Sequence, residues 1–338
     1  MKCKSHATFK IMGIQHLNTY IRRNTDNTAI NKIRLSGLHG KRIVVDISIY
    51  LYKYSGDGSL LENMYCMLSH FRMNNIIAIF VFDGIAPIEK SNLLAKRSHD
   101  KATAEQQYNI VQAKYKSESC VEKQTELGEE LNSLKKKFIK IRRSSIYKVK
   151  DLIDAFGMRW IDAEGEADEL CANMVINGNV YACLSEDMDM FIYGCTRVLR
   201  YLSLLNESVV IYHYDEIINQ LNITPTEFKQ ICVVSGTDYN ITYDYKINLY
   251  ETLKHYKTYK SSGETDFYDW LITNTNYIKN IDQFQTAYRL FGLDSKKLFD
   301  LKMPRTNRLI NKSKIHEIMI PEGFIFKINK YRYNKYMG

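Results

Sequence analysis

The chain has 338 residues, 45% of them hydrophobic, and its 47 Lys and Arg against 38 Asp and Glu give a net charge of +9. That length and apolar content supply a full-sized core, in one large domain or two small ones, and the basic balance favours a polyanionic partner. No apolar run of eighteen residues is present, so no membrane span is expected; the seven cysteines, odd in number and without a C-x-x-C pair, speak against a zinc site and for a reducing compartment.

In chain order, the N-terminal Met1, Lys2, Cys3, Lys4, Ser5 and His6 lack an apolar signal core. A short apolar run follows Gly40-Lys41-Arg42 and ends at Val44-Val45, directly before Asp46. A second β-rich run over 76–82 ends at Asp83-Gly84. Further strands are predicted over 159–161, 180–184, 197–202 and 209–214, with helical patterns between them, as over 59–73 and 147–156. Alternating strand and helix predicts an α/β fold: a mainly parallel central sheet flanked by helices. The stretch 90–150 interrupts that alternation. It is polar, helix-favouring and basic, with Lys135, Lys136, Lys137, Lys140, Arg142, Arg143, Lys148 and Lys150 in its second half, and reads as a helical insertion over the carboxyl edge of the sheet. A solvated excursion with no substrate role is the alternative. Thr224-Pro225-Thr226-Glu227 carries a threonine cap, a proline at the first helical position and a glutamate at the third, which predicts a helix to Val234. Helices are also expected over 247–259, 266–273 and 282–291. The tail after Pro304 is basic and aromatic: it grips DNA or simply packs.

Ligands of such sheets bind beyond the carboxyl ends of the strands. Asp46, Asp83, Glu166, Asp168, Asp187 and Asp189 all fall at that address. Asp187 and Asp189, two apart in chain expected to be extended, would face one way and could reach one cation. Glu166 and Asp168 sit at an expected helix start behind Gly165, where both can lean over the helix mouth. Asp238 follows Gly236-Thr237 and would cap the next element. Any one of these acids alone is more often a turn or cap residue. Together they repel one another unless hard divalent cations lie between them, with Mg²⁺ the natural occupant. On a basic chain, an acidic metal pocket points to phosphodiester chemistry.

Six segments, in order, resemble the flap endonuclease family, the XPG-type structure-specific 5′ nucleases. They are Met12-Gly-Ile-Gln-His-Leu17, Val44-Val-Asp-Ile-Ser-Ile-Tyr-Leu-Tyr52, Val81-Phe-Asp-Gly84 followed by Pro87, Lys90 and Lys96-Arg97, then Glu164-Gly-Glu-Ala-Asp-Glu169, Ser185-Glu-Asp-Met-Asp189 and Ser235-Gly-Thr-Asp-Tyr239. The resemblance implies a PIN-like nuclease core in two parts, 12–89 and 151–240. It also implies a helical arch over 90–150, a divergent helix–two-turn–helix region over 241–300 and a basic aromatic tail over 301–338. It implies two Mg²⁺ ions, replaceable by Mn²⁺, with Asp46, Asp83, Glu166 and Asp168 around the first and Asp187, Asp189 and Asp238 around the second. Lys90 and Arg97 would orient the scissile phosphate, Tyr52 would stack on a base, and Lys135, Lys136, Lys137, Arg142 and Arg143 would meet DNA. The implied activity is 5′ flap endonuclease and 5′→3′ exonuclease cleavage of branched or flapped DNA in replication, repair or recombination. Holliday-junction or bubble cleavage, and removal of RNA primers from RNA–DNA hybrids, keep the same chemistry. An inactive DNA-binding scaffold is the reading from another class.

Four departures accompany the match. Asp168 stands where the eukaryotic and archaeal branch has glutamate, although the bacterial branch carries aspartate there. The turn after Asp238 contains no glycine through Lys246, which puts a backbone grip on duplex phosphates, and any K⁺ site, in question. No sliding-clamp peptide is evident. Residues 1–11 precede the family's usual start, so translation from Met12, or folding of these residues away from the site, is expected. A monomer in the nucleus or cytoplasm is expected, or in host cytoplasm if the source is a large DNA virus, as the AT-rich coding bias would suit.

Overall fold

The structure, a computed structural model, describes residues 14–240, 247–278, 281–293 and 304–326. Seven strands form one sheet: β1 (Ile30–Arg34), β2 (Arg42–Asp46), β3 (Ile77–Phe82), β4 (Arg159–Asp162), β5 (Ala182–Leu184), β6 (Arg197–Ser203) and β7 (Ser208–His213). Their order across the sheet is β1-β7-β6-β5-β2-β3-β4. The five strands from β6 to β4 run parallel, and β7 pairs antiparallel with both β6 and β1. The mainly parallel sheet is thus present. Edge strand β1 carries only two apolar residues in five, too few to announce itself in the sequence.

Alternation along the strands divides the core in two. Val44, Ile79, Val81, Cys183 and Val198 face one layer. There they meet helices α1 (Leu17–Asn24), α7 (Ala167–Ile176), α8 (Asp189–Ile192), α9 (Tyr214–Leu221), α10 (Pro225–Val234), α11 (Leu249–Ser262), α12 (Phe267–Asn274) and α13 (Asp282–Leu290). Ile43, Val45, Phe80, Leu184 and Leu199 face the other layer, formed by α2 (Ser48–Gly56), α3 (Leu60–Met73), α6 (Arg143–Ala155) and α14 (Lys312–Met319). All six residues of β3 are buried, as a central parallel strand requires.

The insertion is helical. α4 (Ser91–Ser117) and α5 (Val121–Lys135) form a hairpin, and the Tyr108 ring of α4 packs edge-on against Phe138, just beyond α5, with centroids 5.4 Å apart. α6 opens at Arg143, and its Val149, Leu152 and Ile153 are already core residues. The predicted cap of α10 forms completely. Thr224 Oγ1 accepts from Glu227 N at 3.2 Å, and Thr224 N donates to Glu227 Oε2 at 2.8 Å.

Of the two open readings of the tail, the described part packs. Arg308 N donates to Gly157 O at 2.9 Å, Asn311 N to Ala155 O at 2.7 Å, and Asn307 Nδ2 to Ile76 O at 2.9 Å. These partners precede β3 and β4, so the tail crosses the sheet at the edge opposite the carboxyl ends. α14 then buries Ile315 and Met319 against α6, and the Phe324 ring meets Tyr65 at a tilt, with centroids 4.6 Å apart. The residues 1–13, the glycine-free turn over 241–246 and the basic positions from Lys327 onward lie outside the described residues.

Candidate active site

β2, β3 and β5 lie side by side, so their carboxyl ends open on one ledge. Asp46 closes β2 and Asp83 follows β3 directly. The loop after β4 brings Glu166 to the cap position of α7 and Asp168 into its first turn. Two hydrogen bonds fix that loop: Gly84 N donates to Gly165 O at 2.7 Å, and Ile85 N to Glu164 O at 3.1 Å. A Cβ on Gly84 would overlap the carbonyl oxygen of Ala163, so only glycine allows the two loops to zip together. Asp83 Oδ1 in turn accepts from Ala167 N at 2.9 Å, satisfying an orphan amide at the mouth of α7.

The second acidic pair departs from expectation. Asp187 and Asp189 do not lie in extended chain. Asp187 Oδ1 accepts from Asp189 N at 3.0 Å, and Asp189 opens the short helix α8. An Asp-x-Asp spacing suits a capped turn as well as a strand, and here local capping wins. Ser185 ties the turn to the ledge: its Oγ donates to Asp46 Oδ2 at 2.9 Å and accepts from Asp187 N at 3.1 Å.

All seven acids belong to one electrostatic cluster. Burial, then the Asp83 carboxylate, pushes Asp46 up to about 7. Burial also raises Asp168, helped by Glu166 and Asp187 and opposed by Lys90. Asp187 is raised by burial and by Asp238, and Asp189 by burial, Asp187, Asp238 and Asp168. Four buried carboxylates held above their ordinary range describe a site short of positive charge.

Lys90 and Arg97 supply part of it. Lys90 Nζ donates to Glu166 Oε1 at 2.6 Å and lies 3.9 Å from Asp238 Oδ2; Arg97 Nη2 donates to Asp238 Oδ2 at 2.9 Å. Burial works against the Lys90 ammonium, but Asp168, Glu166 and Asp238 outweigh it and hold the group above the usual lysine value. Tyr239 completes the arrangement: its hydroxyl donates to Glu166 Oε2 at 2.5 Å, and Lys90 Nζ lies 4.8 Å from its ring centroid. Ser48, Ser185 and Tyr239 lie inside the matching motifs, each within two residues of a candidate acid, but the sequence assigns them no role of their own.

The donor set suits hard divalent cations: every candidate ligand is a carboxylate oxygen. One observation bears on this directly. Asp189 is almost fully buried, and its Oδ1 has no hydrogen-bond partner. A buried carboxylate oxygen is rarely left so, and a cation satisfies it. Among the described residues, no three His, Cys, Asp or Glu side chains already form a closed metal site. Part of the set is engaged by Lys90, Arg97, Ser48 and Ser185.

The DNA-facing candidates are more dispersed. Tyr52 is 42% exposed beside the ledge, with Lys101 Nζ from α4 at 5.1 Å from its ring centroid. Lys136 pairs with Asp57 at 3.6 Å. Lys135, Lys137, Arg142 and Arg143 are exposed along the α5–α6 connection. Lys140 pairs with Glu105 at 2.8 Å, and Lys150 is buried, donating to Asp162 Oδ1 at 2.5 Å.

A parallel sheet with an acidic ledge beneath a helical hairpin is the PIN-like nuclease fold. Sequence comparison agrees: the XPG N-terminal domain matches residues 12–104 and the XPG I-region matches 157–238, together more than half of the chain. The chain belongs to the flap endonuclease/XPG family. It is similar to flap endonuclease 1 of Homo sapiens, 29% identical over 246 residues that make up 68% of this chain and 62% of that protein, and equally to that of Ovis aries. The chain thus spans less than two thirds of the length of these relatives. In fold it is similar to flap endonuclease-1 from Methanococcus jannaschii, with a TM-score of 0.62 and 21% identity, covering 92% of this chain and 93% of that one. It is also similar to the catalytic core of Rad2 in complex with DNA substrate, with a TM-score of 0.61 and 19% identity, covering 92% and 95%.

Proposed function

We propose that the chain is a divalent-metal-dependent, structure-specific 5′ nuclease that cleaves DNA phosphodiesters at 5′ flaps and trims 5′ ends. The observation that carries this reading is the cluster of seven carboxylates at the strand ends, four of them raised by burial and mutual repulsion, with Lys90 and Arg97 set into it.

Asp46, Asp83, Glu166 and Asp168 would hold one Mg²⁺, and Asp187, Asp189 and Asp238 a second, with Mn²⁺ an alternative. The chemistry that such ions supply when bound is Lewis acidity toward the phosphate and a lowered pKa for the attacking water. Ser48, Ser185 and the amides of Ala167 and Asp189 keep carboxylate oxygens aimed at the ledge, so little reorganisation is needed on binding. Lys90 and Arg97 exchange Glu166 and Asp238 for the scissile phosphate, orient it and neutralise the charge that develops on its oxygens. Tyr52 offers a ring to the adjacent base, a contact of about 1–3 kcal/mol that tolerates any sequence. The α4–α5 hairpin stands over the ledge and would admit a free single strand, with the helices from 247 to 293 receiving duplex. Branched or flapped DNA is the proposed partner, with RNA–DNA hybrid an additional one, and the chain acts as a monomer. Four buried free thiols, Cys171, Cys183, Cys195 and Cys232, support a reducing compartment.

End-labelled 5′ flap, nicked duplex, Holliday junction and RNA–DNA hybrid, each incubated with Mg²⁺ or with EDTA, test the reading. Cutting of the flap only with Mg²⁺ is expected. Absence of metal-dependent cutting on every substrate overturns it.

A further inference from the structure

Arg200 is a buried cation that the proposed chemistry does not use. It lies on β6, beneath the turn that carries Asp187, and is 5% exposed. Its Nη2 donates to the backbone carbonyl of Glu186 at 2.7 Å, one peptide before Asp187. Its Nη1 donates to Asn18 Oδ1 at 3.0 Å, and its Nε lies 3.7 Å from Glu186 Oε2. The next residue grips the same glutamate from the other side: Tyr201 N donates to Glu186 Oε1 at 2.6 Å. Main chain and side chain of Glu186 are therefore both clamped by consecutive residues of β6.

That double grip depends on an irregular strand. The β6–β7 register breaks between Arg200 and Ser203, and Tyr201 adopts φ +56°, a left-handed conformation that strains a bulky residue. The bulge turns Arg200 inward while keeping the Tyr201 amide toward Glu186. Asn18 on α1 locks the assembly, donating through Nδ2 to Tyr201 OH at 2.8 Å and accepting from Tyr212 OH at 2.9 Å. The guanidinium lies between the Tyr201 and Tyr212 rings, 5.1 and 5.6 Å from their centroids. Removing the guanidinium alone would leave Glu186 and Asn18 without their donor. Strain and a buried charge converge here on the orientation of one peptide.

We propose that Arg200 is a positioning residue that sets Asp187 and Asp189 for cation binding by fixing the Glu186–Asp187 peptide. The inference rests on the metal-site reading above, and its first readout does not require nuclease activity. Asp187 is the acceptor that starts α8, so rotation of the preceding peptide would swing both acids of the pair.

The test is Mn²⁺ binding to the full chain without DNA, followed by calorimetry or spin resonance, for the wild type, Arg200→Met and Arg200→Lys. Partners that orient metal ligands typically govern 10–100-fold in affinity, so a loss of about tenfold or more is expected in Arg200→Met. Arg200→Lys should lose nearly as much, since an ammonium cannot span Asn18 and Glu186 as the planar fork does. Melting temperature should fall in Arg200→Met, because Asn18 and Glu186 lose their donor, so affinities are compared well below it; flap affinity in EDTA should stay at the wild-type value, and kcat should fall with KM unchanged. Folded Arg200→Met that binds Mn²⁺ with wild-type affinity overturns the proposal, as does a wild-type chain that binds no Mn²⁺. If Arg200→Met fails to fold, Arg200→Lys and Asn18→Ala decide it on the same affinity criterion. A wild type that binds Mn²⁺ but cuts no DNA defeats the nuclease reading, while the Mn²⁺ comparison still decides the role of Arg200.

Discussion

Lys90 Nζ lies 2.6 Å from Glu166 Oε1, joining the first residue of the arch to the cap of α7 across the ledge. Both side chains are largely buried, so the pair is more than a surface contact. Removing one partner of such a pair strands the other charge, at about 3–5 kcal/mol. Lys90→Ala should therefore destabilise the metal-free chain by about 3 kcal/mol. Added Mg²⁺ should restore part of that loss, because it relieves the same repulsion. Loss of one oriented donor to the reacting phosphate should also lower turnover about 10²–10³-fold. Chemical unfolding in EDTA and in Mg²⁺ measures the first effect, and single-turnover flap cleavage the second.

Asp187→Ala should abolish cutting while leaving flap affinity in EDTA close to wild type. Asp187 shares its environment with Asp168, Asp189 and Asp238, so its loss relieves repulsion and should not weaken DNA binding. Paired gel-shift and cleavage assays decide this; wild-type cutting by the variant would show that the ligand set is wrong.

The pH dependence of stability should be unusual. Asp46 rises from 3.8 to about 7 on folding. Between those values the folded chain holds a proton that the unfolded chain has released, so stability in EDTA falls as pH rises through that window, and the penalty persists above about pH 7. Asp168, Asp187 and Asp189 act in the same direction. Thermal melts in EDTA should give a higher Tm near pH 5 than near pH 8, and Mg²⁺ should raise Tm most at the alkaline end. A Tm that climbs with pH across this range would contradict the raised carboxylates.

Tyr239→Phe removes the donor to Glu166 Oε2 and leaves a carboxylate oxygen unsatisfied. Hydrogen bonds to charged groups contribute about 1.5–3 kcal/mol, which sets the expected loss in EDTA. Denaturant titration reads it directly.

Met319→Ala tests the tail. Met319 is fully buried against α6, and truncation there should cost about 2–4 kcal/mol with kcat on flaps unchanged. A fall in kcat with stability intact would place the tail in the reaction instead.

The candidate acids were legible because each stands next to a strong local signal. Asp46 and Asp83 end apolar strands, and Gly165 precedes a helix mouth. The geometry of Asp187 and Asp189 was not, since the same spacing serves a strand or a cap and only the Asp187 acceptor on Asp189 N separates them. β1 escaped notice because an edge strand paired with β7 needs few apolar residues. Arg200 was invisible for a different reason. An arginine in an alternating strand reads as solvent-facing, and the bulge that buries it is a property of pairing with β7. Phe324 and Phe326 could equally have met bases or a core; the core position follows from Tyr65 and Phe156, which are distant in sequence.

The tail that crosses behind the sheet makes the two ends of the arch unequal. α6, where the insertion returns, is fastened by α14, by Asn311 on Ala155 and by Lys148 on Glu322 at 2.5 Å. The departing end is held at Lys90 and Arg97 by the same carboxylates that await the substrate. On the proposed reading, a phosphate on the ledge would compete for those two cations and leave the return leg untouched. The two legs of the hairpin are thus anchored by different chemistry, charge at Lys90 and Arg97 and packing at α6, and only the first would respond to an arriving anion.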